Sequence, residues 1–384
     1  MHWLLEKAFK YKKWAVDNRH HLHTYPELSH QEKETSEYCK KILIELGYKI
    51  KDSWEYGFTA DLIISDNFKT IAYRTDMDAL PILEKNNNEY ISLNEGVSHM
   101  CGHDIHMSTA LLSAKLLISL KDNLSCNVRF IFQPCEETPP GGAKFMIENG
   151  CLDGVSEIYG LHNDPTLEVG KIGISPKKAS VAGDLFNLTI KGEGCHAARP
   201  DRGLDPIAPA ANLMTHWQSS ISRRLNSNHY YVLSVTSIHA GDAFNIIPDE
   251  LKLSGTVRTL YNEDRKFIYQ MMEDSLIPYN NSGYRCTLEY IYGYDATFNH
   301  KDNVDKIISS AMDIVGKENI NSDLEPQASE DFCYFTQNIP GALFFVGSGN
   351  KEKNIIEPLH SPKYEADEDS IFVGAAIMTN IILS

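Results

Sequence analysis

Short apolar runs alternate with helical stretches up to about Val181, and the same alternation returns after Asn299. Parallel strands need a crossover of a dozen or more residues between them. This texture therefore predicts an α/β layer with a mixed, mostly parallel sheet flanked by helices. Ala60–Ser65, Thr70–Arg74, Asn127–Gln133 and Glu157–Leu161 read as strands. Apolar residues at three- and four-residue spacing (Trp3, Leu4, Ala8, Tyr11, Ala15) predict an opening helix. Glu32–Leu46 reads as a second helix stopped by Gly47. Asp104 is placed to cap a helix running to about Leu120, and Gly142–Asn149 reads as a short one. Beyond Asn299, Lys301–Val315 is a helix, Ala342–Gly347 a strand and Asp367–Leu383 a terminal helix.

The stretch between has another order. Asp184–Lys191, Tyr231–His239, Glu250–Thr259 and Arg285–Tyr292 read as strands, with helices at Asp205–Leu225 and Asn262–Ser282. That is β-α-β-β-α-β, a self-contained ferredoxin-like unit. The expected organisation is a discontinuous domain of residues 1–180 and 295–384 interrupted by an inserted domain of residues 181–294. A length of 384 residues leaves room for both.

Charge narrows the partners. The chain has 36 Lys and Arg against 52 Asp and Glu, a net charge of −16. Such a surface repels phosphate backbones, so nucleic acid is not an expected partner. No run approaches the ~20 apolar residues of a membrane span. The opening MHWLLEKAFKYKKWAV puts charges where a signal peptide needs an unbroken apolar stretch. Eight cysteines follow no disulfide framework, and a cytoplasmic location is expected.

Polar groups follow the predicted strands. They are Thr75-Asp76-Met77-Asp78, Cys135-Glu136-Glu137, His162-Asn163-Asp164 and His360-Ser361-Pro362, while His99–Asp104 opens a helix. Ligands of open α/β sheets bind beyond the carboxyl ends of strands, so these groups are expected to converge. Cys101 and His103 are two apart and cannot share a helix face, but a loop around Gly102 lets them meet. Two adjacent carboxylates, Glu136 and Glu137, are costly to bury unless cations balance them. One thiolate, three imidazoles and a carboxylate suit a borderline metal such as Zn, Ni, Co or Mn. Taken singly, each residue also has a structural reading as a core thiol, a hydrogen-bonded imidazole or a solvated loop carboxylate. His20-His21-Leu22-His23 has no carboxylate pair beside it and is read as structural.

In this order the motifs resemble the M20 metallopeptidase family, in its amidohydrolase branch of hippurate, auxin-conjugate and N-acyl-amino-acid hydrolases and N-acetyl-diaminopimelate deacetylases. The resemblance runs from HTYPEL (23–28) through RTDMDALP (74–81), HMCGHDIH (99–106), QPCEE (133–137) and Gly160-Leu161-His162. It continues through KGEGCHAARP (191–200), NIIP (245–248), GTVRT (255–259) and SEDF (329–332) to Leu359-His360-Ser361-Pro362. It implies a metal-dependent amidohydrolase with two divalent ions per subunit, cleaving the amide of N-acyl amino acids. Cys101 would be shared by both ions, with His103 and His162 on one and Glu137 and His360 on the other. Glu136 matches the general base, and Asp76 an aspartate that orients a ligand imidazole. The inserted domain would serve as lid and dimer surface, making the chain a homodimer or higher oligomer. In it, His196 matches an oxyanion-stabilising residue, and Asn245 and Arg258 match residues that grip the substrate carboxylate.

The chain departs from the family pattern at Cys135, usually a small residue, and at Cys195, usually glycine. Thr138-Pro139-Pro140 is stiffer than the usual glycine-rich stretch. These departures bear on substrate identity. Rival readings are a dipeptidase or carboxypeptidase of the same fold, a metal-independent thiol hydrolase using Cys101, and a non-enzymatic binding module.

Overall fold

The computed structural model describes residues 2–325 and 329–384. Two compact units form. The larger holds residues 2–179, 297–325 and 331–384, and the smaller holds Ser180–Ala296 with Ser329 and Glu330.

Among the described residues, the larger unit has an eight-stranded sheet. Its order is Lys49–Asp52, Phe58–Leu62, Asn127–Gln133, Thr70–Asp76, Val155–Glu168, Gly341–Gly349, Ile172–Gly173 and Ile320–Asn321. The four central strands, Asn127–Gln133 through Gly341–Gly349, are parallel, the strands next to them on either side pair antiparallel, and the outermost pair, Ile172–Gly173 with Ile320–Asn321, is parallel. Central strands are buried nearly throughout, which is why they read as continuous apolar runs rather than alternating ones. Alternate residues serve opposite faces. Phe130, Phe132, Tyr73 and Phe344 pack into one cluster, whereas Ala72, Ile131, Ile158 and Leu343 pack into another. The helices His103–Ile118 and Asp369–Leu383 are buried on almost every side and pack against each other over the first cluster.

Three local expectations differ from the structure. The opening helix is two, Trp3–Phe9 and Lys12–Thr24, with a break at Lys10 and Tyr11. Asp104 does not cap its helix, because its carboxylate accepts from Arg19 Nε at 3.0 Å and contacts His23 Nδ1 at 2.9 Å. The strand expected to stop at Leu161 runs on to Glu168, so His162 lies within it, paired with Phe345.

The smaller unit has a four-stranded antiparallel sheet in the order Arg285–Ile291, Ala182–Lys191, Glu250–Thr259 and Tyr231–His239. The helices Ile207–Arg224 and Asn262–Asn281 supply its other layer. Burial alternates along Ala182–Lys191, and Phe186, Leu188 and Ile190 pack on Trp217, Ile268 and Met272. A two-stranded ribbon pairs Cys195–His196 with Ile246–Ile247. Among the described residues, no helix is long and apolar enough to cross a membrane.

Candidate metal centre

The strands Thr70–Asp76 and Asn127–Gln133 run parallel with Asp76 opposite Gln133, so their following loops leave from one edge. A buried guanidinium ties these ends together. Arg74 donates to Gln133 Oε1, Asp76 Oδ2 and Asp331 Oδ1, each at 2.8 Å, and Gln133 Nε2 donates to Asp331 Oδ2 at 2.6 Å. Burying such charges costs several kcal/mol per ion unless every donor finds an acceptor, and here the planar fork meets three.

Asp78 is the platform for the glutamate pair. Its Oδ1 accepts from the Glu136 amide at 3.0 Å, and its Oδ2 accepts from the Glu137 amide at 2.9 Å and from Ser29 Oγ at 2.7 Å. Its backbone carbonyl lies 2.8 Å from His103 Nδ1, which donates to it. Burial works to raise the Asp78 carboxyl, but the His103 ring, the Glu137 amide and Ser29 outweigh it and hold the pKa below the usual range. Asp78 thus aims a carboxylate pair and an imidazole at once. Sequence reasoning placed it in a candidate loop but gave it no role, although its spacing from Asp76 on a strand end was the available signal.

Gly102 makes the meeting of Cys101 and His103 possible. Its φ is +86°, and a Cβ there would meet Tyr364 Oη at 2.7 Å and the Asn163 side chain closer still. The donors then converge. Cys101 Sγ is 3.6 Å from His162 Nε2 and 3.4 Å from His360 Nε2. Glu137 Oε1 is 3.6 Å from His360 Nε2 and 3.8 Å from His103 Nε2, while Glu136 Oε2 is 4.0 Å from His103 Nε2. The ligand atoms of Cys101, His103 and His162 lie within 4.8 Å of one another, and so do those of Cys101, Glu137 and His360. Cys101 is common to both triads.

These residues fit a bound pair of divalent ions. His103 and His162 each donate through Nδ1 to a backbone carbonyl, of Asp78 and Asn163 respectively, which turns Nε2 toward the cluster. Among the described residues, His103 Nε2 and Glu137 Oε1 are buried with no hydrogen-bond partner. Burial acts to lower the His103 pKa, yet the carboxylates of Asp76, Asp78 and Glu137 push it up to about 10. That excess of negative charge is what a cation would balance. Burial, with the His106 ring beside it, holds His162 well below its ordinary value, in the neutral form that ligates. Burial and the carboxylates of Glu137 and Glu136 push the Cys101 thiol well up.

The imidazole nearest to Asp76 is His106, at 2.7 Å from Nδ1 to Oδ1. His103 Nε2 is farther, at 3.8 Å. His106 Nε2 accepts from the Asn163 amide at 3.0 Å, so both its nitrogens are taken by protein. It is a strut between Asp76 and the backbone next to His162. Sequence reasoning passed over His106, which sits one helical turn after His103 among apolar residues.

Of the other expected site residues, three lie in the smaller unit. The two-stranded ribbon sets His196 opposite Ile246 and places Asn245 beside it, with the Asn245 carbonyl accepting from the Ala197 amide at 3.0 Å. His196 is exposed, and its Nδ1 accepts from the Ala198 amide at 3.1 Å. Arg258 lies on the strand Glu250–Thr259 and donates to Ser329 Oγ at 3.2 Å. In the His20–His23 run, His20 stacks on Tyr90, His21 stacks on Tyr38, and His23 bonds Asp104.

Comparison with known proteins gives this chain a family. The model of peptidase family M20/M25/M40 matches residues 72–384. The chain is 35% identical over 375 residues to the N-acetylcysteine deacetylase of Bacillus subtilis, covering 97% of this chain and 96% of that one. It is 34% identical over 370 residues to thermostable carboxypeptidase 1 of Saccharolobus solfataricus, covering 94% and 93%. Among solved structures, the YXEP protein of Bacillus subtilis, a dinuclear metal binding peptidase from the M20 family, matches with a TM-score of 0.80 at 30% identity over 97% of this chain and 98% of that one. The chain belongs to peptidase family M20/M25/M40, and by class it is a hydrolase.

Proposed function

We propose that this protein is a metal-dependent amidohydrolase that uses water to remove the acyl group from N-acyl amino acids. The observation that carries the reading is the convergence of the ligand atoms of Cys101, His103, Glu137, His162 and His360 next to the buried Glu136, with His103 Nε2 and Glu137 Oε1 lacking a hydrogen-bond partner among the described residues. The similarity to an N-acetylcysteine deacetylase supports the substrate class.

Cys101, His103 and His162 would hold one divalent ion, and Cys101, Glu137 and His360 the other. Such ions supply Lewis acidity and lower the pKa of a bound water toward ~7. Zn, Mn, Co and Ni all suit these ligands. Glu136 takes the proton from water as its oxygen attacks the amide carbonyl. It then delivers that proton to the amide nitrogen, which cannot leave as an anion. The products are a carboxylate and a free amine. Asp78 keeps both glutamates aimed, and Asp76 acts through His106. In the smaller unit, read as lid and dimer surface, His196 stabilises the oxyanion, while Asn245 and Arg258 hold the substrate carboxylate, for which an Arg fork is suited. Homodimerisation is supported by Tyr231–His239, an edge strand of its sheet among the described residues, which exposes Val232 and Ile238. Among the described residues the cysteines form no disulfide, which suits a reducing cytoplasm.

The similarity to a carboxypeptidase favours a second reading, cleavage of a peptide's C-terminal residue. The thiol mechanism is disfavoured, because a nucleophilic cysteine needs a depressed pKa and burial moves Cys101 the other way. The deciding experiment is a panel of N-acyl amino acids and dipeptides, run on metal-depleted protein with Zn, Mn, Co and Ni restored in turn. Cleavage of acyl-amino acids well ahead of dipeptides is expected. The reverse preference would replace this reading with the second, and full activity after chelation would restore the thiol mechanism.

A further inference from the structure

A second cluster of metal-type donors lies apart from the five described above. His30 Nδ1 is 2.9 Å from Glu55 Oε2, and Cys135 Sγ is 3.8 Å from the same oxygen. The three ligand atoms all lie within 4.8 Å of one another. Around a tetrahedral zinc ion with one sulfur, one nitrogen and one oxygen ligand, neighbouring donors would sit ~3.3–3.6 Å apart. The observed spacings bracket that range.

Two further features point the same way. The His30 amide donates to Cys135 Sγ at 3.0 Å, which fixes the sulfur against the His30 turn. Glu32 is fully buried. Its Oε1 accepts from the Cys135 amide at 2.8 Å, while its Oε2 has no hydrogen-bond partner among the described residues. That leaves a buried acidic group with one unmatched oxygen directly behind the Cys135 backbone. The backbone adds to this. Among the described residues, the non-glycine positions with positive φ are His30, Glu55, Cys135, Asn354 and His360. Three of these are the residues of this cluster, and strain of that kind gathers where side chains must be aimed.

We propose that His30, Glu55 and Cys135, with Glu32 behind them, form an accessory site for a thiophilic divalent cation of the zinc type. Cys135 supplies the soft ligand that a small residue in its place would lack. His30 and Glu55 are exposed, so an ion can enter from solvent. The site adjoins the turn that carries Glu136 and Glu137, yet shares no ligand with the centre around Cys101.

The test is a count of bound zinc. Metal-depleted full-length protein is saturated with zinc, desalted, and its metal per chain measured by elemental analysis. Wild type is compared with His30→Ala, Cys135→Ala and Cys101→Ala. His30→Ala and Cys135→Ala should each bind one equivalent fewer than wild type. Cys101→Ala should lose ions at the other centre and keep the one that His30→Ala removes. His30 is a surface residue, so its variant stays informative even if Cys135→Ala misfolds. Equal zinc in wild type and His30→Ala overturns the accessory site. Equal zinc in wild type and Cys101→Ala would instead count against the centre proposed for catalysis.

Discussion

Cys101 Sγ and His360 Nε2 lie 3.4 Å apart although 259 positions separate them in the chain. The parallel sheet accounts for this. Strand Gly341–Gly349 lies beside Val155–Glu168, and the loop that follows it returns across the Cys101 turn, where the His360 amide donates to the Met100 carbonyl at 2.8 Å. One sulfur is thereby set between two imidazoles from distant segments.

Glu136 stands within this cluster without belonging to either Cys101 triad. Glu136→Gln keeps shape and removes the proton acceptor. General acid–base catalysis is typically worth ~10²–10⁴ in rate, so kcat should fall by about that factor. Bound metal should stay at the wild-type count. A variant with near-normal kcat would show that some other group moves the proton.

Asp78→Ala leaves the Glu136 and Glu137 amides and the Ser29 hydroxyl without their acceptor. Residues that orient ligands typically cost 10–100-fold in metal affinity when removed. A loss of about that size is expected by calorimetric titration, with kcat at saturating metal affected less than after Glu136→Gln. Unchanged metal affinity would mean that the glutamate turn holds its shape without this carboxylate.

The parts legible in the sequence are those where pattern and burial agree. Tyr231–His239, Glu250–Thr259, Asn127–Gln133 and Lys301–Val315 have the bounds that their periodicity predicts. Reading falters where a polar side chain serves the site instead of the pattern. Strand Val155–Glu168 continues through His162, Asn163 and Asp164, because pairing with Phe345, Val346 and Gly347 holds the backbone extended while apolar alternation has stopped. Asp104 resembles a cap, but its long-range partner Arg19 wins over its own helix. The motifs name donors such as Cys101 and His360 and place Asp78 in a candidate loop, whereas the supporting roles of Asp78 and His106 emerge only once hydrogen bonds are visible.

Gly102→Ala tests the geometry of the Cys101 turn. A left-handed residue other than glycine costs roughly 1–2 kcal/mol, and the added methyl would also collide with Asn163 and Tyr364. Lower thermal stability together with weakened metal binding is expected. A variant that keeps both would show that the turn can re-form around a side chain.

His23 should give the protein a stability that fades in base. Burial works to lower its pKa, but Asp104 and Glu84 outweigh this and raise it from 6.5 to about 9. A raised pKa means that the folded state holds the proton more tightly than the unfolded chain does. The contribution is therefore complete below about pH 6.5 and is lost as pH climbs through about 9. Its ceiling is on the order of 3 kcal/mol, since each pKa unit is worth ~1.4 kcal/mol. Urea unfolding of wild type and His23→Asn should show a stability gap that is widest below about pH 6.5 and narrows as pH rises toward about 9. A gap that stays constant from about pH 6 to about pH 10 would mean that the ring is held by packing, and that its charge contributes nothing.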